Sequence, residues 1–409
     1  MRHVTTFFVS LLLCFLKSSG FAQTLEQFRT QGQAAKTAGD AQNALVSFQK
    51  AAELDPSSAE LQDEIGFLLA VLNRHNEAVA HFKKAIQLDG GFAPAHYHLG
   101  VADWLSKDYD SGIPELQTAA RLQPKTFDYR FRFGTALHDV GHYAEAVAEL
   151  KAAAALQPKN AEVWSLLGGT QERLQDYVSA RSAYERALEF NPKNLDARNN
   201  LGFLLVEARE PEKGIAQFQK VLELDPTNAT AHLNTAIAMY RKGEFDGAIA
   251  ELKLVLGREP DLAIAHYNLG LALKQKDNLD AAKLEFQKAI AGDPTLAEPH
   301  YALGITHWQS GDFEEAATEM RAAIKLSPSY AEAHYMLGTA LKQKGDLDGA
   351  IASLKEAIRL NPNTPGPHST LGQILRMKGD LEGSRQALSE AARIQHEAEA
   401  KQADMLRRK

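Results

Sequence analysis

Proline recurs at a fixed interval of 34 residues along most of this chain. Pro56, Pro124, Pro158, Pro192, Pro226, Pro260, Pro294, Pro328 and Pro362 lie 34 or 68 residues apart, and the one gap holds Gly90, another helix breaker. A period in this range marks an array of repeated supersecondary units, so the 409 residues are not to be divided by a typical domain size. When each unit starts three residues after the proline, eleven units tile Leu25 to Ala398 with no insertion. They run 25–58, 59–92, 93–126, 127–160, 161–194, 195–228, 229–262, 263–296, 297–330, 331–364 and 365–398.

Other columns follow the same register. Position 8 is Gly32, Gly66, Gly100, Gly134, Gly168, Gly202, Ala236, Gly270, Gly304, Gly338 and Gly372. Position 20 is Ala, Gly or, once, Ser384, and position 27 is Ala except at Val221 and Val255. Position 24 is aromatic or long aliphatic, as at Phe48, Phe82, Tyr184, Phe218 and Phe286. These columns predict two helices of about 14 residues per unit, broken near position 15, where Gly39, Gly141, Gly243, Gly311, Gly345 and Gly379 fall. Small residues at 8 and 20 let the two helices approach closely, and the large residue at 24 fills the space beside them. Pro at 32 stops the second helix, because it lacks an amide hydrogen and clashes with the preceding turn. One hairpin cannot bury its own apolar face, so the units must stack. Pro114 falls one turn inside a second helix and is expected to shift or kink its start.

The pattern resembles the tetratricopeptide repeat over Leu25 to Ala398. That resemblance implies an all-α, right-handed superhelical solenoid of about eleven helix-turn-helix repeats. It departs from the family where Trp at position 4 survives only as Trp164; the column otherwise reads mainly His96, His232, His266, His300, His334 and His368. The last unit has Ser384 and His396 in place of the usual small residue and proline. Its second helix is therefore expected to run on into residues 399–409 as a polar cap with a basic tail (Lys401, Arg407, Arg408, Lys409).

The N-terminus reads as an export signal. Arg2 precedes a mostly apolar run from Val4 to Leu16, and small residues Gly20 and Ala22 precede an expected cleavage between Ala22 and Gln23. That run is shorter than the roughly 20 residues a membrane span needs, so no integral span is expected in the mature chain. Cys14 is the only cysteine, so residues after position 22 hold no disulfide and no thiolate metal site. The expected location is periplasmic or extracellular, with association with envelope complexes as one possibility.

No catalytic constellation emerges. His138 and His142 are four apart, but Asp139 stands where a zinc protease has Glu, and Gly141 ends the helix between them. The position-4 histidines are about 10 Å apart from unit to unit, the spacing of packed helices, too far for shared metal ligation. They are expected to replace indole as half-buried packing groups. No cofactor, no metal and no enzyme activity are expected. A net charge of −7 gives no grip on phosphate backbones, so nucleic acid is a poor partner.

The resemblance implies that first helices line a concave groove through positions 2, 5, 6, 9, 12 and 13. Position 5 then offers Tyr97, Phe131, Tyr267, Tyr301 and Tyr335. Position 12 offers Trp104, Tyr240, Lys274, Trp308, Lys342 and Arg376, and position 6 offers Asn200, Asn234 and Asn268. An Asn ladder can hold a peptide backbone without reading its sequence, and Tyr and Trp give contact area at low entropic cost. The cations favour acidic groups or a chain terminus. The alternative is that these Asn bond a neighbouring helix and these Tyr pack between units. The clamp of Lys and Asn that captures chaperone C-termini is not supplied by any three consecutive units. Three functions remain open: an envelope or secreted scaffold binding an extended polypeptide; a component of an envelope secretion or assembly machine for polysaccharide, pili or outer-membrane proteins; and a non-catalytic relative of the repeat arm of the O-linked N-acetylglucosamine transferases.

Overall fold

The computed structural model describes residues 24–407. The expected signal segment 1–22, its cut after Ala22, Cys14 and the last two basic residues, Arg408 and Lys409, lie outside the described residues. Two compact bodies, divided between Ala197 and Arg198, make up the chain.

In the first body the helices come in pairs: Leu25–Thr37 with Ala41–Leu54, Ala59–Val71 with His75–Leu88, Ala93–Leu105 with Tyr109–Leu122, Phe127–Asp139 with Tyr143–Leu156, and Ala161–Arg173 with Tyr177–Phe190. The division falls within Leu195–Glu207. The second body continues with Pro211–Leu224, then Ala229–Lys242 with Phe245–Leu256, Ala263–Gln275 with Leu279–Gly292, Ala297–Ser310 with Phe313–Leu326, Ala331–Gln343 with Leu347–Leu360, and Pro365–Met377 with Leu381–Arg407. Within each body a helix packs mainly on its neighbours in sequence, so among the described residues the fold is all-α, a helical-repeat solenoid. Among the described residues no helix is long and apolar enough to cross a membrane.

Helix limits follow from local chemistry. Asp40, Asp108, Asp176 and Asp346 each accept a backbone N–H from the first turn of a second helix, and Ser58, Asn160 and Asn228 do so for first helices. The turn at position 15 takes positive φ in every repeat. Six of those residues are the glycines at 39, 141, 243, 311, 345 and 379; the other five are Asn73, Lys107, Gln175, Arg209 and Asp277, with φ of 59–63°. The turn geometry overrides residue preference there, because a left-handed residue is what reverses the chain between the two helices.

Close approach of each hairpin rests on positions 8 and 24. A methyl group at Gly202 would sit 2.4 Å from Phe218 Cε1, at Gly66 2.6 Å from Phe82 Cε1, and at Gly270 2.5 Å from Phe286 Cε1. The large side chain therefore lies directly on the glycine rather than beside it. Phe218, Phe286 and Tyr184 are fully buried, each contributing about 1.5–3 kcal/mol of transfer free energy. Position 27 lies in the seam between hairpins, buried at Ala51, Ala85, Ala119, Val255 and Ala323.

Pro114 does not shift its helix. Tyr109–Leu122 starts at the same place in its repeat as the other second helices, because Asp108 caps it through the Ser111 amide at 3.2 Å. The ring falls at the sixth residue, so only the carbonyl of Asp110 loses an amide partner. The last helix, Leu381–Arg407, runs through 27 residues, and from Gln395 to Ala403 its side chains are exposed.

Candidate functional site

First helices carry the polar chemistry of this fold, beginning with position 4. The imidazole Nδ1 of His96, His232, His266 and His300 lies 2.5–2.6 Å from Oε2 of Glu115, Glu251, Glu285 and Glu319, nineteen residues later at position 23. Nε2 of His96, His232 and His266 lies 2.7–3.2 Å from the carbonyl of Gly90, Pro226 and Pro260, six residues earlier. Trp164 donates to the equivalent Pro158 carbonyl at 2.8 Å, and Arg130 satisfies both partners, Pro124 O at 3.2 Å and Glu149 Oε2 at 2.6 Å. These side chains tie a first helix to its own second helix and to the turn before it. His334 and His368 keep only the carbonyl contact, at 3.1 Å, since position 23 is Ser353 or Ala387. Acid at position 23 is visible in the sequence, and only the column-by-column match with position 4 gives it meaning.

His138 and His142 are separated by Gly141, whose φ is +83°. The His138 ring pairs with Thr170 Oγ1 at 2.9 Å, and burial holds its pKa below the ordinary histidine value. Among the described residues no group of three or more His, Cys, Asp or Glu could hold a metal ion.

Position 5 is shared between surface and seam. Tyr97 packs tilted against Tyr129 with ring centroids 4.7 Å apart, Tyr301 against Tyr330 at 4.8 Å, and Tyr267 meets Phe286 at 6.1 Å. Burial pushes the phenols of Tyr97, Tyr267 and Tyr301 above their usual pKa. Phe131 is buried, and Tyr335 is half-buried against the cluster around Leu337 and Leu341. Each ring thus leaves only part of its surface to a partner.

Position 12 reaches toward the next repeat. Trp104 Nε1 donates to Asp139 Oδ2 at 2.9 Å with the Arg132 guanidinium 4.9 Å from its ring, Tyr240 accepts from Gln275 at 3.2 Å, and Lys342 donates to Gln373 at 2.6 Å. Two consecutive repeats break this series. Lys274 is half-buried, its side chain has no hydrogen bond or ion pair among the described residues, and burial alone depresses its pKa. Trp308 packs edge-on to Phe313, and its buried indole N–H meets no acceptor. Arg376 is exposed, and its side chain forms no bond to another described residue. At position 6, Asn200 is exposed, Asn234 is half-buried with no hydrogen bond of its side chain, and Asn268 donates to Ile264 O at 2.7 Å in its own helix.

The first body adds what the polar columns did not suggest. A cleft of about 520 Å³ between the second and third hairpins is lined by Phe67, Val79, Phe82, Tyr97, Val101 and Leu105. His98 stands in it, its ring 5.5 Å from Phe67, Phe82 and Tyr97 and its Nδ1 2.8 Å from the buried Asp63. The sequence signal is the apolar identity of Phe67 and Val101 at position 9 and of Leu105 at position 13, the last 68% exposed.

Family models described as tetratricopeptide repeat match residues 240–297, 301–365 and 341–408. The chain is a tetratricopeptide-repeat protein. A further model, described as the TPR domain of cytochrome c-type biogenesis protein H, matches residues 143–261. No curated protein matches in sequence. Among solved structures, a tetratricopeptide repeat protein from Parabacteroides merdae ATCC 43184 is 17% identical with a TM-score of 0.53, covering 61% of this chain and 98% of its own. MamA is 25% identical with a TM-score of 0.39, covering 40% of this chain and 96% of its own. YrrB, titled a TPR protein with an unusual peptide-binding site, is 24% identical with a TM-score of 0.38, covering 46% of this chain and 96% of its own. As a tetratricopeptide-repeat array the chain is a scaffold for protein–protein interaction.

Proposed function

We propose that this scaffold is exported and holds an extended polypeptide along its first-helix faces. The observation that carries the reading is the set of groups left unused there. Among the described residues, Asn234 and Lys274 are half-buried on consecutive first helices with no hydrogen-bond partner for their side chains, whereas Lys283 and Lys288 of the following second helix are neutralised, by Asp312 at 2.9 Å and Glu285 at 2.8 Å. Unsatisfied polar groups beside partly exposed Tyr267 and Tyr301 suit a ligand that brings backbone amides and side chains in alternation. The chemistry asked of these residues is binding, and no step of bond making is assigned to them.

Export rests on the N-terminal segment. Amino-terminal sequencing of the protein recovered from its native host tests this: the reading expects a chain starting at Gln23, and a cytoplasmic chain retaining Arg2 contradicts it. Photocrosslinking from the first-helix face tests the groove.

A second reading is favoured by one match. The model for the cytochrome c-type biogenesis protein H TPR domain covers residues 143–261, which suits a component of an envelope assembly machine. Co-fractionation with a membrane complex after mild solubilisation supports this second reading; recovery as a free chain supports the first.

A further inference from the structure

From Ala263–Gln275 onward, the lysines and arginines of the first helices and their C-caps fall into two sets. Those at position 14 are neutralised by the preceding second helix: Lys276 pairs with Asp246 at 2.5 Å, Lys344 with Glu314, and Lys378 with Asp348. Those at position 12 are not. Among the described residues the Lys274 side chain has no partner, Lys342 has the neutral Gln373, and the Arg376 side chain makes no bond. The carboxylates of the same helices, Glu298 and Glu332, sit at position 2, ten residues away. Ten residues of helix are about 15 Å, too far for either to neutralise position 12. Lys274 is also half-buried, where an unpaired charge is disfavoured until an anion arrives.

We infer that the row Lys274, Trp308, Lys342 and Arg376 seats an extended acidic segment of the partner polypeptide, its Asp or Glu side chains meeting the cations and an apolar side chain meeting the Trp308 ring. This rests on the proposal that the first-helix face binds polypeptide, and it names the chemistry of what binds. The row has one member per repeat, about 10 Å apart as packed helices are. An extended chain rises about 3.3 Å per residue, so one repeat corresponds to about three residues. The segment therefore carries acids about six and then three residues apart, with an apolar residue midway between the first two.

The test uses the purified full chain and synthetic peptides blocked at both ends, which removes any free terminal carboxylate. One dodecapeptide carries aspartate at its first, seventh and tenth places, leucine at its fourth, and alanine or serine elsewhere. Its sequence-reversed form covers the other direction, and asparagine replaces every aspartate in the control. Fluorescence anisotropy is expected to show the acidic peptide binding, in one direction, at least about tenfold more tightly than the asparagine control. Lys274→Gln and Lys342→Gln are each expected to weaken it about tenfold, with circular dichroism unchanged. Equal binding of the asparagine control, or no loss in either variant, overturns the inference while leaving polypeptide binding by the face intact. Absence of any binding by the acidic peptides also overturns it. A free C-terminal carboxylate that restores affinity to the asparagine peptide shows that the row takes a chain end instead, which overturns it too.

Discussion

His266 Nδ1 lies 2.5 Å from Glu285 Oε2 while its Nε2 lies 2.7 Å from the carbonyl oxygen of Pro260. One imidazole thus joins the two helices of a repeat to the turn that precedes them. Both side chains are largely buried, at 7% and 12% exposure. Removing Glu285 leaves Nδ1 of this buried ring unpaired, while Nε2 keeps the Pro260 carbonyl, so Glu285→Ala is expected to cost about 1–3 kcal/mol in denaturant unfolding. His266→Arg, which copies the Arg130 arrangement, is expected to stay within about 1 kcal/mol of wild type. A loss from Arg equal to that from His266→Ala would show that ring packing, not the paired contacts, is what matters.

Left-handed turns give a second prediction. Arg209 holds φ of 63° where six other repeats use glycine. A left-handed conformation costs a side-chain-bearing residue about 1–2 kcal/mol, so Arg209→Gly is expected to raise stability by about 1 kcal/mol. Gly311, at φ of 85°, has open space around it, with nothing within 4 Å of where a methyl would stand. Its change to Ala should lose a similar amount through the backbone alone. Denaturation midpoints of the two variants check both signs.

Glycine at position 8 should tolerate little. At Gly202 an added methyl meets the rigid Phe218 ring at 2.4 Å, whereas at Gly304 it meets the end of flexible Met320 at 2.8 Å. Overpacking costs about 1–3 kcal/mol, so Gly202→Ala is expected near the top of that range and Gly304→Ala near the bottom. Gly304→Leu should exceed both. Urea midpoints of the three variants give the order directly.

Burial depresses the pKa of His138, and of His81, below the ordinary histidine value. A depressed pKa means the neutral ring is preferred in the folded state. The resulting stabilisation is present above the unfolded pKa of about 6.5 and lost as pH falls through the folded pKa. An NMR titration should place the His138 midpoint below that of an unfolded peptide. A midpoint above it would reverse the sign.

Much of this is legible from residue types. The 34-residue period places the helices, and glycine at position 15 announces six of the turns. Asn73, Lys107, Gln175, Arg209 and Asp277 give no such signal, because their conformation is imposed by packed helices on either side. Histidine at position 4 looks like a packing group in sequence, yet its polar partner lies nineteen residues away, a distance that only a formed hairpin closes. The position-5 rings look like binding surface, and the structure uses part of each in the seam, as in the tilted Tyr301–Tyr330 contact. Pro114 looks disruptive, and its cap at Asp108 holds the helix start.

The most direct test of polypeptide binding along the first helices is position-specific photocrosslinking in the native host. A benzophenone amino acid at Asn200 or Arg376, both exposed on first helices, is expected to capture one and the same partner polypeptide. The same probe at Leu284, a second-helix residue that is 51% exposed, is expected to capture none of it. Capture from Leu284 as strong as from Arg376, or none from either first-helix site, would contradict the account.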